Sequence, residues 1–155
     1  MTAADIAPST QKRQGRGDAV VERRLINQGS AFEEQMGYSR AVQIGPWILV
    51  SGTTGFDYRT MTISGDVRQQ AEQALRNIGA ALAEANASLA DVVRVRYLLP
   101  HRVDFETCIP VLRQAFGDVR PAATMQVCGL SDARMRIEIE VTAYTDVDGS
   151  AGGPQ

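Results

Sequence analysis

The stretch RPAATMQVCGLSDARMRIEIEVTAY, residues 120–144, decides the fold. It holds two extended runs, 122–128 and 134–143. In the second, Met135, Ile137, Ile139, Val141 and Ala143 alternate with Arg136, Glu138, Glu140, Thr142 and Tyr144. A period of two with one apolar and one charged side predicts a strand buried on one face. Two carboxylates and an arginine on a single strand face raise the question of what they meet.

Upstream, DFETCIPVLRQAFG (104–117) predicts a short helix with Phe105, Ile109, Leu112 and Phe116 on its apolar face. Pro110 removes a backbone donor. It therefore implies either a distorted first turn or a regular helix that starts near Pro110. Before it, DVVRVRYLLP (91–100) alternates, with Val93, Val95, Tyr97 and Leu99 on one side and Arg94 and Arg96 on the other. Residues 65–86 give the clearest helix: Val67, Ala71, Ala74, Leu75, Ile78, Leu82 and Ala85 recur at spacings of three and four. Asp66 suits the positive end of its dipole. Further upstream, Gly45-Pro46 divides AVQIGPWILVSG into a hairpin, and residues 21–27 predict a first strand. Residues 28–40 read as a polar connection.

The predicted order is β-β-β-α-β-α-β-β. It gives an α+β domain: a mixed six-stranded sheet with two helices on one face. The other face then needs cover, and a second subunit is the natural source. Residues 1–18 and 148–155 are small and polar. They read as flexible tails around a domain spanning 19–147.

The chain has 155 residues, 44% of them apolar, and a net charge of −2. That composition argues against a nucleic-acid or anionic-membrane partner. No run is long enough to span a membrane, and the first residues lack the apolar core of a signal peptide. A cytoplasmic location is the expectation. Cys108 and Cys128 make neither a disulfide framework nor a zinc motif. His101 is the sole histidine and reads as a surface residue. No metal site is expected.

The pieces YSRAVQIGPWILVSGTTG (38–55), the helix at 70–86, DVVRVRYLL (91–99), the helix opening at Asp104-Phe105, RPAATMQV (120–127) and IEIEVTAY (137–144) resemble, in that order and spacing, the RidA family of endoribonuclease L-PSP-like proteins. The resemblance covers about 36–146. It implies a chorismate-mutase-like fold, a homotrimer, and ligand clefts between subunits. It also implies cofactor-free hydrolysis of imines and enamines, such as 2-aminoacrylate, to ketoacids and ammonia. Carried over residue by residue, Glu138 is the catalytic glutamate that handles water, and Tyr38 lines the cleft. Thr53 and Thr54 are candidate ligand contacts, and Thr124 matches a family hydroxyl. The family's substrate-carboxylate arginine stands in a Pro-Ala-Arg-Ser/Thr motif. Here the motif reads Pro121-Ala122-Ala123-Thr124, so Ala123 leaves the clamp missing. Weak or absent hydrolysis of 2-iminoacids follows as an expectation, because alanine has no donors for a carboxylate. Arg120 is the candidate replacement for an acidic ligand, and Arg94, Arg96 and Arg136 are further candidates from neighbouring strands. Two other functions stand beside the hydrolase: a non-catalytic ligand-binding or regulatory trimer, and an RNA-cleaving or translation-inhibiting protein. The acidic composition disfavours the last.

Overall fold

The computed structural model describes residues 21–145 together with the backbone of Gln11–Lys12. The expected tails, 1–18 and 148–155, otherwise lie outside the described residues. The two-residue strand β1 (Gln11–Lys12) pairs antiparallel with β2 (Glu22–Ile26). The chain continues through α1 (Ala31–Met36), β3 (Ala41–Ile44), β4 (Trp47–Thr54), a small hairpin β5–β6 (Phe56–Asp57, Thr62–Ile63), α2 (Val67–Glu84), β7 (Val92–Leu99), α3 (Arg102–Phe116), β8 (Ala122–Val127) and β9 (Glu138–Tyr144).

The main sheet runs β1-β2-β3-β4-β9-β7-β8. Six strands form its body and β1 extends one edge. All neighbours are antiparallel except β7 and β8, which are parallel because α3 carries the chain back across the sheet. Helices α2 and α3 cover one face. This is the expected mixed six-stranded α+β arrangement of the chorismate-mutase-like kind.

Asp66 caps α2 by accepting from the backbone N–H groups of Arg68 and Gln69. The buried stripe of α2 includes Ala71, Ala74, Ala81, Ile78 and Leu82. Its alanines allow close approach to β4 and β9. Gly55 serves the same approach: a side chain there would strike the backbone of Gln70. From the sheet, Ile48, Val50, Val95, Leu99, Ile137, Ile139, Val141 and Ala143 complete the core. Burial of this stripe drives the packing of helix on sheet.

Four expectations need correction. Val93 is exposed and Val92 buried. An extra residue in β7, between the Val92–Ala143 and Arg94–Thr142 pairings, flips the alternation at that end. In α3 the buried face is Asp104, Cys108, Leu112 and Phe116, while Ile109 is 45% exposed. The helix is rotated so that Asp104 reaches Arg136. Pro110 neither distorts the first turn nor starts the helix. The helix runs through it, and the residue whose carbonyl it leaves free, Glu106, lies on the exposed side, where water can serve that carbonyl. Residues 31–36 are helical rather than an irregular connection. Ser30 caps α1 by accepting from Phe32 N–H, and Gly37 ends it with φ of 68°.

Candidate active site

One end of the β4–β9 pairing is opened by a bulge. Val50 faces Val141 and Thr53 faces Ile139, so one more residue stands on β4 than on β9. The extra residue shifts the phase of β4 and brings Ser51, Gly52 and Thr54 to the rim of a cavity of about 340 Å³. Phe32 and Met36 of α1, Tyr38, Arg40, Tyr58 of the small hairpin, Ser131, Met135 and Glu138 complete the lining.

Glu138 is the first residue of β9, opposite Thr54 and Leu98. Its carboxylate lies where a side chain on Gly52 would be, so the absence of a Cβ at position 52 is what admits it. Among the described residues it has no hydrogen-bond or ion-pair partner. The neighbouring charges on this stretch are all engaged. Arg136 makes a two-pronged pair with Asp104 and donates to the Gly65 carbonyl. Glu140 pairs with Arg96 at 3.4 Å. Burial pushes the Glu138 carboxyl above the usual carboxylate range, the Arg40 charge opposes that rise, and Glu140 adds to it.

Arg40 is 1% exposed. Its Nε donates to Glu33 Oε1 at 3.2 Å, its Nη1 to the Gly52 carbonyl and to Thr53 Oγ1, both at 3.0 Å, and its Nη2 to the Tyr38 hydroxyl oxygen at 3.1 Å. The guanidinium also sits 5.0 Å from the Tyr58 ring centroid and 5.5 Å from that of Tyr38. Glu33 is buried too, and its other oxygen accepts from Gln28 N–H. A buried ion pair with this many hydrogen bonds fixes its surroundings, since removing either partner strands a charge. Tyr38 accepts from Arg40, so its own proton is free for another acceptor. Burial pushes the Tyr58 hydroxyl up to about 12, so it is a neutral donor throughout the physiological range.

The structure thus gathers Glu138, Tyr38 and Thr54 around one cavity. Thr53 is buried behind it, receiving Arg40 and donating to the Ser51 carbonyl. Arg120 lies elsewhere. It stands in the turn after α3 with φ of 50°, and its Nε donates to the Gly117 carbonyl of the same turn. Thr124 stands on β8 opposite Arg96, at the exposed edge of the sheet. Arg40, Glu33 and Tyr58 were not singled out from the sequence. For α1 and Glu33 a signal existed: Ser30 followed three residues later by glutamate marks a helix start. No periodicity marks Arg40 or Tyr58: the partners of Arg40 come from α1, the loop before it and β4, and Tyr58 meets the site only through the fold. Cys108 is buried, with its thiol pushed up to about 11 by burial, and lies outside the cavity lining. Among the described residues, no group of three or more His, Cys, Asp or Glu is placed to hold a metal ion, and no helix is long and apolar enough to cross a membrane.

The described residues thus combine a sheet covered by helices on one face with a half-buried, partly aromatic cavity that holds a carboxylate without a partner among them. The family model described as Endoribonuclease L-PSP matches residues 28–145. The chain belongs to this family, the RidA proteins. It is 37% identical over 123 residues to the human 2-iminobutanoate/2-iminopropanoate deaminase, covering 78% of this chain and 89% of that protein. It is 36% identical over 110 residues to a RutC family protein of Pyrococcus abyssi, covering 70% of this chain and 87% of that one. Among solved structures, a member of the YjgF/YER057c/UK114 family from Mycobacterium tuberculosis superposes with a TM-score of 0.73 at 40% identity, covering 79% of this chain and 99% of that chain.

Proposed function

We propose that this chain is a cofactor-independent hydrolase of small imines or enamines, acting as a homotrimer at the cavity beside Glu138. The carrying observation is the Glu138 carboxylate: half-buried, unpaired among the described residues, and admitted by Gly52. Hydrolysis of an imine adds water across C=N to give a carbinolamine, which expels ammonia and leaves a carbonyl. The steps need a proton acceptor for water and a proton donor for nitrogen. Glu138 serves as the acceptor and returns the proton to the leaving nitrogen. The Tyr38 and Tyr58 hydroxyls orient the substrate. The relatives named as deaminases support the reaction class. The exposed edge strand β8, together with Trp47, Leu49 and Tyr144 exposed on the face opposite the helices, supports subunit contacts there. Thr124 would enter the cleft across such a contact.

Ammonia release from freshly generated imines, with and without an α-carboxylate, tests the proposal. Acceleration lost by about 10²-fold or more in Glu138→Gln is the expected result. A wild-type chain that accelerates no imine sinks the hydrolase reading. That outcome favours the second reading, a ligand-binding trimer without turnover, for which Ala123 in place of the arginine is the supporting observation.

A further inference from the structure

The charges around the cavity are unequally engaged. Arg40 is the cation among the lining residues, and it is already neutralised by Glu33. Four of its five N–H groups reach protein acceptors, and its side chain is buried. Three other arginines on nearby elements are also held: Arg134 by Asp132, Arg136 by Asp104 and Arg96 by Glu140; Arg94, on β7 opposite Thr142, does not line the cavity. Strand β8, AATMQV, carries no charged side chain. Glu138 alone lines the cavity as a charge without a counter-ion among the described residues, so with Glu138 ionised the lining carries a surplus negative charge.

From this we infer that the cavity takes a small organic cation, an iminium or ammonium group without a carboxylate on the adjoining carbon. This rests on the proposed function in that it names the substrate class for the same site. A carboxylate ligand would place a second anion beside Glu138 with no free cation among the lining residues to offset it. A cation instead supplies the missing partner in a site of reduced dielectric, where a charge-assisted hydrogen bond is strong. The remaining walls suit such a ligand. Phe32, Tyr38 and Tyr58 offer aromatic surface, and Met36 and Met135 offer polarisable thioethers. A volume of about 340 Å³ is ample for a short branched or cyclic group. The chemistry agrees with the hydrolase. A protonated C=N is more electrophilic than a neutral one, and its hydrolysis balances as iminium plus water giving carbonyl plus ammonium. Glu138 takes the proton from the attacking water and gives it to nitrogen; as the C–N bond breaks it takes the hydroxyl proton, so that C=O forms, and passes it to the released ammonia, which leaves as ammonium.

Isothermal titration of the full chain with n-butylammonium, 1-pyrrolinium, butanoate and 2-oxobutanoate tests this, in wild type and in Glu138→Gln. The expected result is that both cations bind more tightly than both carboxylates, and that Glu138→Gln weakens the cations about tenfold or more, close to the loss of one charged hydrogen bond. Glu138→Asp, which keeps the charge on a shorter arm, should retain part of the preference for cations. Tighter binding of 2-oxobutanoate than of butylammonium in the wild type overturns the inference. So does cation affinity that is indifferent to Glu138→Gln, or no cation binding at all. A chain that binds the cations but hydrolyses no imine keeps this inference and loses the hydrolase. A chain that hydrolyses 2-aminoacrylate while rejecting butylammonium does the reverse.

Discussion

Gly52 and Glu138 form one feature, since the carboxylate occupies the space a side chain at 52 would fill. Because the obstructing atom is the far end of a flexible side chain, Gly52→Ala should shift the melting temperature little. It should still displace the carboxylate and lower imine hydrolysis by about tenfold or more. Full activity in the Gly52→Ala variant would separate the two residues. Glu138 also sets a pH dependence. Burial penalises its ionised form, so the native state holds this proton more tightly than the unfolded chain does. Its contribution to stability is then lost as pH rises from the ordinary carboxylate value through the raised native one. The groups that bear on it are Arg40, Glu140 and Tyr58. Glu138→Gln should therefore melt above the wild type at neutral pH, with the gap closing below the ordinary carboxylate range. Parallel melting curves across pH would contradict that sign. Arg40→Ala strands Glu33 in the core and should cost about 3–5 kcal/mol by denaturant unfolding. At this scale the sequence was partly legible. Alternation put Arg136, Glu138 and Glu140 together without distinguishing them, and the distinction lies in who pairs with whom across the fold. Arg40 was invisible because its partners come from β4, from α1 and from the loop before it, none of which a periodicity reports.

At the scale of elements, α3 shows how two helical phases can share residues. The set Phe105, Ile109, Leu112, Phe116 and the set Asp104, Cys108, Leu112, Phe116 differ by about one position, and hydropathy favours the first. The structure takes the second because Asp104 meets Arg136, 32 residues away, and Cys108 packs near the Val67 carbonyl. Leu112→Ala should thus cost about 2–5 kcal/mol. Ile109→Ser should stay within about 0.5 kcal/mol, as exposed substitutions do. Chemical denaturation of both variants checks the assignment, and equal losses would restore the first phase. Helix α2 was legible throughout, since its stripe and its Asp66 cap are both local signals.

At the scale of the molecule, the one-sided sheet was legible from the order of elements and the number of helices. What covers the other face was not, because a strand's exposed side carries no mark of its partner. That face presents Trp47 and Tyr144 in edge-to-face contact, 4.9 Å between centroids, next to exposed Leu49. If subunits meet there as proposed, Leu49→Arg should shift sedimentation from a trimer toward a monomer without unfolding the chain. A wild-type chain that sediments as a monomer would count against the trimer.

The sheet order has a consequence for how the protein is made. Strand β9 is last of the sheet's strands along the chain, yet it lies between β4 and β7 and bonds to both. Until it emerges from the ribosome, the β2–β4 hairpins and the β7–α3–β8 unit have no common strand, and each has a long unpaired edge. Vectorial synthesis can therefore prepare two halves but cannot join them, and closure waits on residues 138–144. The segment that carries Glu138 is thus also the seam of the sheet. A ribosome stalled just before it would hold two aggregation-prone edges, so completion of the sheet is expected to wait until this segment has left the ribosome.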